Sequence, residues 1–167
     1  ALTLSSAYVS ALSVAPTSIK ALAERSTLVV RGEVVAQRVI QDVLFEGRAP
    51  RPFTLSEVKV EGCWLKAKSY KEAPCPERVI VRQLGGSLPA QEGAQGDTPP
   101  LTLSVAGFSP LSSSWSGVLF LTPKWSAPQV QEATYAPSVL EPEGAPLPVM
   151  VIEGGPLGVR SEGLEAL

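Results

Sequence analysis

The stretch STLVVRGEVVAQRVI, Ser26 to Ile40, decides the fold. It gathers five valines, a leucine and an isoleucine around one glycine. Side chains alternate along a strand, so Leu28, Val30, Gly32 and Val34 share one face while Val29, Arg31, Glu33 and Val35 share the other. Glycine in mid-strand is costly unless the strand bends or a second backbone comes close. A coiled barrel strand supplies that reason, and a flat sheet does not. The stretch therefore predicts the first long strand of a small β-barrel.

The surrounding chain agrees. APTSIKALAERS offers Ser18 as an N-cap, with Ile19, Leu22 and Ala23 at helical spacing, which predicts a short helix over Ile19 to Arg25. Downstream, FTLSEVKVEGCW places Val58 and Val60 on one face with Leu55 out of phase, so a bulge is expected near Ser56 or Glu57. ERVIVRQLGG is a third strand, closed by Gly85–Gly86. Residues 87–100 carry breakers without an apolar period and read as a long loop. LTLSVAGF is a fourth strand and SGVLFLTP a fifth, the latter covered on both sides because Val118 to Leu121 are all large and apolar. Tyr8 to Val14 is a candidate further strand. Proline recurs from Ala127 to Pro148, which predicts extended, hydrogen-bond-poor chain. PVMVIEGGPLGVR then reads as a terminal hairpin turning at Glu153 to Pro156.

The predicted fold class is thus mainly β: an OB-like, Greek-key, partly open barrel of five to six strands with one short N-terminal helix and a Pro-rich C-terminal extension. The expected division is a barrel domain over 1–126 and an extension over 127–167, its terminal β-hairpin packing on the same domain. Sixteen prolines and fourteen glycines in 167 residues suit short strands joined by turns and argue against a helical bundle.

Composition narrows the chemistry. The chain has no histidine, and so lacks the commonest general base and the commonest metal ligand. Asp42 and Asp97 are its only aspartates and form no calcium-loop pattern. No cofactor, no metal and no catalytic residue is expected. A net charge of −2 creates no field for nucleic acid. No segment is long and apolar enough to span a membrane, and a protein partner is the expected one.

Cys63 and Cys75 are the only cysteines. Two thiols without histidine make no tetrahedral zinc site, and eleven intervening residues make no redox motif. The choices left are two reduced thiols or one disulfide. The lysine-rich loop between them favours the disulfide, and with it an oxidising compartment: secreted, periplasmic or cell-surface. The opening ALTLSSAYVSALSVA has no basic residue before its apolar run, so the targeting signal peptide is expected to have been removed already.

The succession RSTLVVRGEVV, TLSEVKVEGCWLK, RVIVRQLGG and GVLFL resembles a group of uncharacterised secreted bacterial proteins. More remotely, it is similar to the netrin-like module of tissue inhibitors of metalloproteinases, an OB-type barrel. Val29, Val30, Arg31, Gly32, Val81, Arg82, Gln83, Gly85, Gly86, Phe120 and Leu121 carry the likeness, which covers about Lys20 to Thr122. It implies the barrel. It does not imply inhibition through an N-terminal cysteine, because the first cysteine here is Cys63.

Among candidate sites, Gly85–Gly86–Ser87 lacks the lysine and following helix of a phosphate loop and reads as a turn leaving the barrel. The serines around Trp115 have no histidine base, and in TSIK Ser18 is better used as a cap. Trp115 and Trp125 read as barrel-end packing. Glu33, Glu57 and Glu61 are a candidate carboxylate set of the kind glycosidases use, although strand glutamates ordinarily face water. The strongest surface feature is WLKAKSYK, where Trp64, Lys66, Lys68, Tyr70 and Lys71 interleave aromatic and basic character on the cysteine-bounded loop. The expected function is a non-catalytic secreted binding or assembly module that makes protein contacts through its loops. Inhibition of an extracellular protease and a structural role in a cell-surface assembly are the alternatives.

Overall fold

The computed structural model describes residues 18–43, 47, 49–66, 74–90, 93, 96–97, 99–105, 109–127, 130–154 and 158–160. The candidate strand at Tyr8 to Val14 lies outside them. The helix α1, Ile19–Arg25, forms where expected, and the Ser18 hydroxyl accepts the Ala21 N–H at 3.1 Å. After it come β1 (Leu28–Asp42), β2 (Arg51–Lys66), β3 (Arg78–Leu84), β4 (Gly86–Leu88), β5 (Leu101–Leu103) and β6 (Ser116–Pro123). The chain ends in β7 (Trp125–Ala127), β8 (Val130–Ala133), β9 (Tyr135–Ala136), β10 (Leu147–Ile152) and β11 (Val159–Arg160).

Five strands form the ring. β1 pairs antiparallel with β2 and with β6, β2 pairs antiparallel with β3, and β10 lies parallel to β3 and antiparallel to β6. Taken in chain order, the ring strands run first, second, third, fifth, fourth and back to the first, a Greek-key barrel of OB type. The β10 seam is thin: only Val149 and Met150 meet β3, and Met150 to Ile152 meet β6. The barrel is therefore partly open.

Alternation along β1 sorts the core into layers. Leu28, Val30 and Val34 point inward to Val58, Val79, Val81, Leu119, Leu121 and Met150. Val29 points outward, where Leu22 of α1 covers it together with Val118 and Phe120. This explains the unbroken apolar run in β6, whose one face lines the barrel while the other sits under the helix. Leu22 has no exposed surface, and burying it contributes about 1.5–3 kcal/mol. Leu55, Ile80 and Val149 form a second outer layer, with Ile40, Ala136 and Leu147 against it. Leu55 is consequently out of phase with Val58 because both faces of β2 are covered, and no bulge at Ser56 or Glu57 is needed. The ladder instead skips Val35 on β1, and Glu61 and Trp64 on β2.

Several connections differ from expectation. LTLSVAGF supplies no ring strand; Leu101–Leu103 pairs with Gly86–Leu88 as a separate two-stranded ribbon. That ribbon holds both ends of the 87–100 loop. Leu111 then enters the barrel interior, held by its backbone. Its N–H donates to Gln83 Oε1 at 2.9 Å and its carbonyl accepts from Gln37 Nε2 at 2.5 Å. A fully apolar wall would leave those two backbone groups unsatisfied.

The segment expected as an extension completes the barrel. β7 and β8 form a small hairpin, Thr134 N–H closes its base on the Lys124 carbonyl at 3.0 Å, and β10 seals the ring. The expected terminal hairpin is not formed among the described residues. β10 and β11 pair successively with β6, at Pro123 to Leu121 and then at Leu119 and Val118, so they follow one another along the same edge.

Gly32 has the neighbour its position demands. A Cβ there would lie 2.5 Å from the Lys59 carbonyl oxygen and 2.8 Å from Val58 Cγ1. Gly32→Ala is expected to destabilise the chain by about 1–3 kcal/mol through overpacking. Urea unfolding checks this by a lower midpoint at unchanged slope; an unaltered midpoint would show that β1 and β2 can part at no cost.

Candidate functional site

The β2–β3 corner is built from its last ladder rungs outward. The Val60 N–H donates to the Glu77 carbonyl at 2.8 Å, so pairing persists almost to the end of β2. Immediately beyond it, Cys63 and Cys75 form a disulfide with Cα atoms 5.9 Å apart. Cys63 packs against the barrel interior, and the bond ties the loop mouth to the core. Closing a loop of this length stabilises by about 3 kcal/mol on the chain-entropy account. A disulfide fits an oxidising compartment outside the cytosol. No helix among the described residues is long and apolar enough to cross a membrane.

Trp64 follows Cys63 at a position the β1–β2 ladder skips, and a skipped residue is re-aimed out of the regular pleat. Its side chain is 45% exposed rather than tucked into the barrel end. Lys66 ends β2, but only its backbone is described. Lys68, Tyr70 and Lys71 lie outside the described residues, so of the interleaved set only Trp64 has a position that can be argued from. Trp115 packs against the interior cluster, as expected of barrel-end packing; the Trp125 side chain is outside the description.

The three glutamates are not brought together as a catalytic pair. Glu61 pairs with Arg31 at 3.2 Å on the surface, and Glu33 is exposed opposite Lys59. Glu57 is wholly buried on the outer face of β2. It meets Arg78 Nη1 at 3.2 Å and accepts the Ser138 hydroxyl at 2.7 Å, the Val139 N–H at 2.9 Å and the Leu140 N–H at 3.1 Å. Arg78 reaches on to Glu141 at 3.3 Å, while the Glu141 N–H returns to Ser138 Oγ at 3.0 Å. Burial pushes the Glu57 carboxyl up, but the hydrogen bonds from Ser138, Leu140, Val139 and Arg78 together outweigh it and hold the group below its ordinary value. An acid so stabilised as its anion is a clamp on the 138–141 turn and a poor proton donor.

Sequence reasoning missed this role because the partners lie about eighty residues away in the chain. The available signal was a charged residue at a position flanked by buried ones. Gly85–Gly86 is a turn, as expected: both residues have positive φ, 112° and 128°, and the Gly85 N–H is spent on the Pro52 carbonyl. Among the described residues no group of three or more acidic or cysteine side chains is placed to hold a metal ion.

A scan against protein-family models finds no match, and neither the curated proteins nor the solved structures contain one.

Because the folded value of Glu57 is depressed, its contribution is complete above the ordinary glutamate range and is lost as pH falls through the folded value. Glu57→Gln is expected to cost about 2–4 kcal/mol near neutral pH, mainly by leaving Arg78 beside an uncharged, incompletely satisfied partner. The gap between the two proteins should narrow below about pH 4. Urea melts at several pH values measure it, and a gap independent of pH would count against the clamp.

Proposed function

We propose that this chain is a secreted, non-catalytic binding module whose protein contacts are centred on the disulfide-tied corner at Trp64. One observation carries the reading: a large aromatic side chain stands half out of the surface on a residue adjacent to a disulfide anchored in the core. Tryptophan fixed in this way gives up little conformational freedom on binding, and such side chains dominate interface energetics. The near-neutral net charge supports a surface that meets other proteins by contact rather than by long-range steering. Binding chemistry sits naturally on connections held by a rigid scaffold. The 63–75 connection is the one whose two ends are covalently joined.

A partner recovered by pull-down from the native extracellular fraction should bind Trp64→Ala about 30-fold more weakly than the wild type, equivalent to about 2 kcal/mol. The control is Leu140→Ala, which trims another exposed apolar side chain, on the turn held by Glu57. Its affinity should be unchanged. Mild reduction of the disulfide should weaken binding before the barrel unfolds, as followed by circular dichroism. Equal affinities for wild type and Trp64→Ala would move the contact away from this corner.

A further inference from the structure

On the outer face, beyond the apolar layer from the Glu57 clamp, stands a second polar group whose charges do not balance. Arg82 of β3 donates through Nη2 to Asp42 Oδ2 at 2.7 Å, while the other Asp42 oxygen accepts the Val43 N–H at 2.8 Å. The guanidinium carbon lies 3.7 Å from the centre of the Phe53 ring, so the plane of the fork is fixed by stacking. The Arg82 side chain is only 11% exposed. Its Nε is buried and donates to nothing.

Lys124 follows the last residue of β6, next to the strand seam: its N–H donates to the Val149 carbonyl at 2.9 Å, and its carbonyl accepts from Thr134. The charges of both Arg82 and Asp42 act on its ammonium group. Among the described residues no carboxylate pairs with it. The Thr134 hydroxyl, on a residue whose backbone bonds to both Lys124 and Val149, is also buried without a partner. Two cations thus share one carboxylate, and that carboxylate already accepts from Arg82 and from its own turn.

We propose that Arg82 and Lys124 form a binding site for an oxyanion, a phosphate or carboxylate group carried by a small ligand or a partner. The anion takes the Lys124 ammonium and the free Nε edge of Arg82, leaving Nη2 with Asp42. The site is separate from the Trp64 corner and does not rest on it. An unmade buried hydrogen bond of a charged group is a standing penalty that a second anion removes. Burial first, and the Arg82 charge next, push the Lys124 ammonium below its ordinary value, with Asp42 opposing; an anion at this place reverses the shift. Phosphate and carboxylate satisfy the same donors, and only titration separates the two sources.

The test uses the full chain, with the Arg82 Nε–H and Lys124 Nζ resonances followed while inorganic phosphate, or separately acetate, is added at constant ionic strength. The site is supported by a saturating shift at Arg82 accompanied by a rise in the Lys124 pKa. Phosphate as the tighter anion identifies a phosphoryl ligand, and acetate a carboxylate one. Lys124→Met should weaken binding about tenfold or more. Lys20→Met, which removes a charge from the exposed face of α1, should leave it unchanged. A shift that never saturates with either anion overturns the proposal, as does equal affinity in Lys124→Met and the wild type.

Discussion

The structure depends on the close approach of β1 to the β2 backbone at Gly32. A strand that forms two edges of one barrel must coil strongly, because it pairs with β2 along its length and with β6 over Leu28 to Glu33. Coiling brings its own backbone onto that of Lys59, where only a residue without Cβ fits. The skipped positions at Val35, Glu61 and Trp64 relieve the same curvature by breaking register. One of these, Trp64, is the side chain most exposed at the disulfide corner. The bend that closes the core therefore also decides which aromatic group is presented outside it.

The outer face shows how a small barrel covers its second side. α1 shields β1 and β6, whereas Leu55, Ile80 and Val149 are covered by the returning chain through Ala136 and Leu147. Apolar contact alone fixes neither where that chain begins nor where it turns. Glu57 supplies the address, since a buried carboxylate tolerates few arrangements of donors and here receives those of one turn. Burial of the ion is expensive in itself, so the clamp contributes specificity of placement more than raw stability.

What could be read from the sequence follows the range of the interactions involved. The helix, its Ser18 cap and the two faces of β1 rest on residues within a few positions of one another, and all were legible. So was the disulfide, because only two cysteines were available. Strand pairing over long separations was not. VMVI resembles a hairpin arm by pattern, yet it closes the ring, since Val149 and Met150 lie against a β3 edge laid down about seventy residues earlier. Proline led to the same misreading: Pro148 sits in β10 without disturbing it, because proline is tolerated where a strand's N–H is not required by the ladder.

The candidate site was harder to read because side-chain roles depend on what the topology places opposite them. Glu57 and Arg82 look alike in sequence, each a charged residue inside an apolar strand. The fold gives the first a full set of donors and the second an acceptor for only part of its fork. Arg78 and Arg82 stand four residues apart on β3 with the apolar Ile80 between them. Since alternate residues of a strand share a face, all three point outward, and the apolar layer separates one arginine's carboxylates from the other's. Each guanidinium must be satisfied locally. At Arg78 two glutamates do this; at Arg82 one aspartate stands against two cations, so the surplus positive charge is localised at that end of the face.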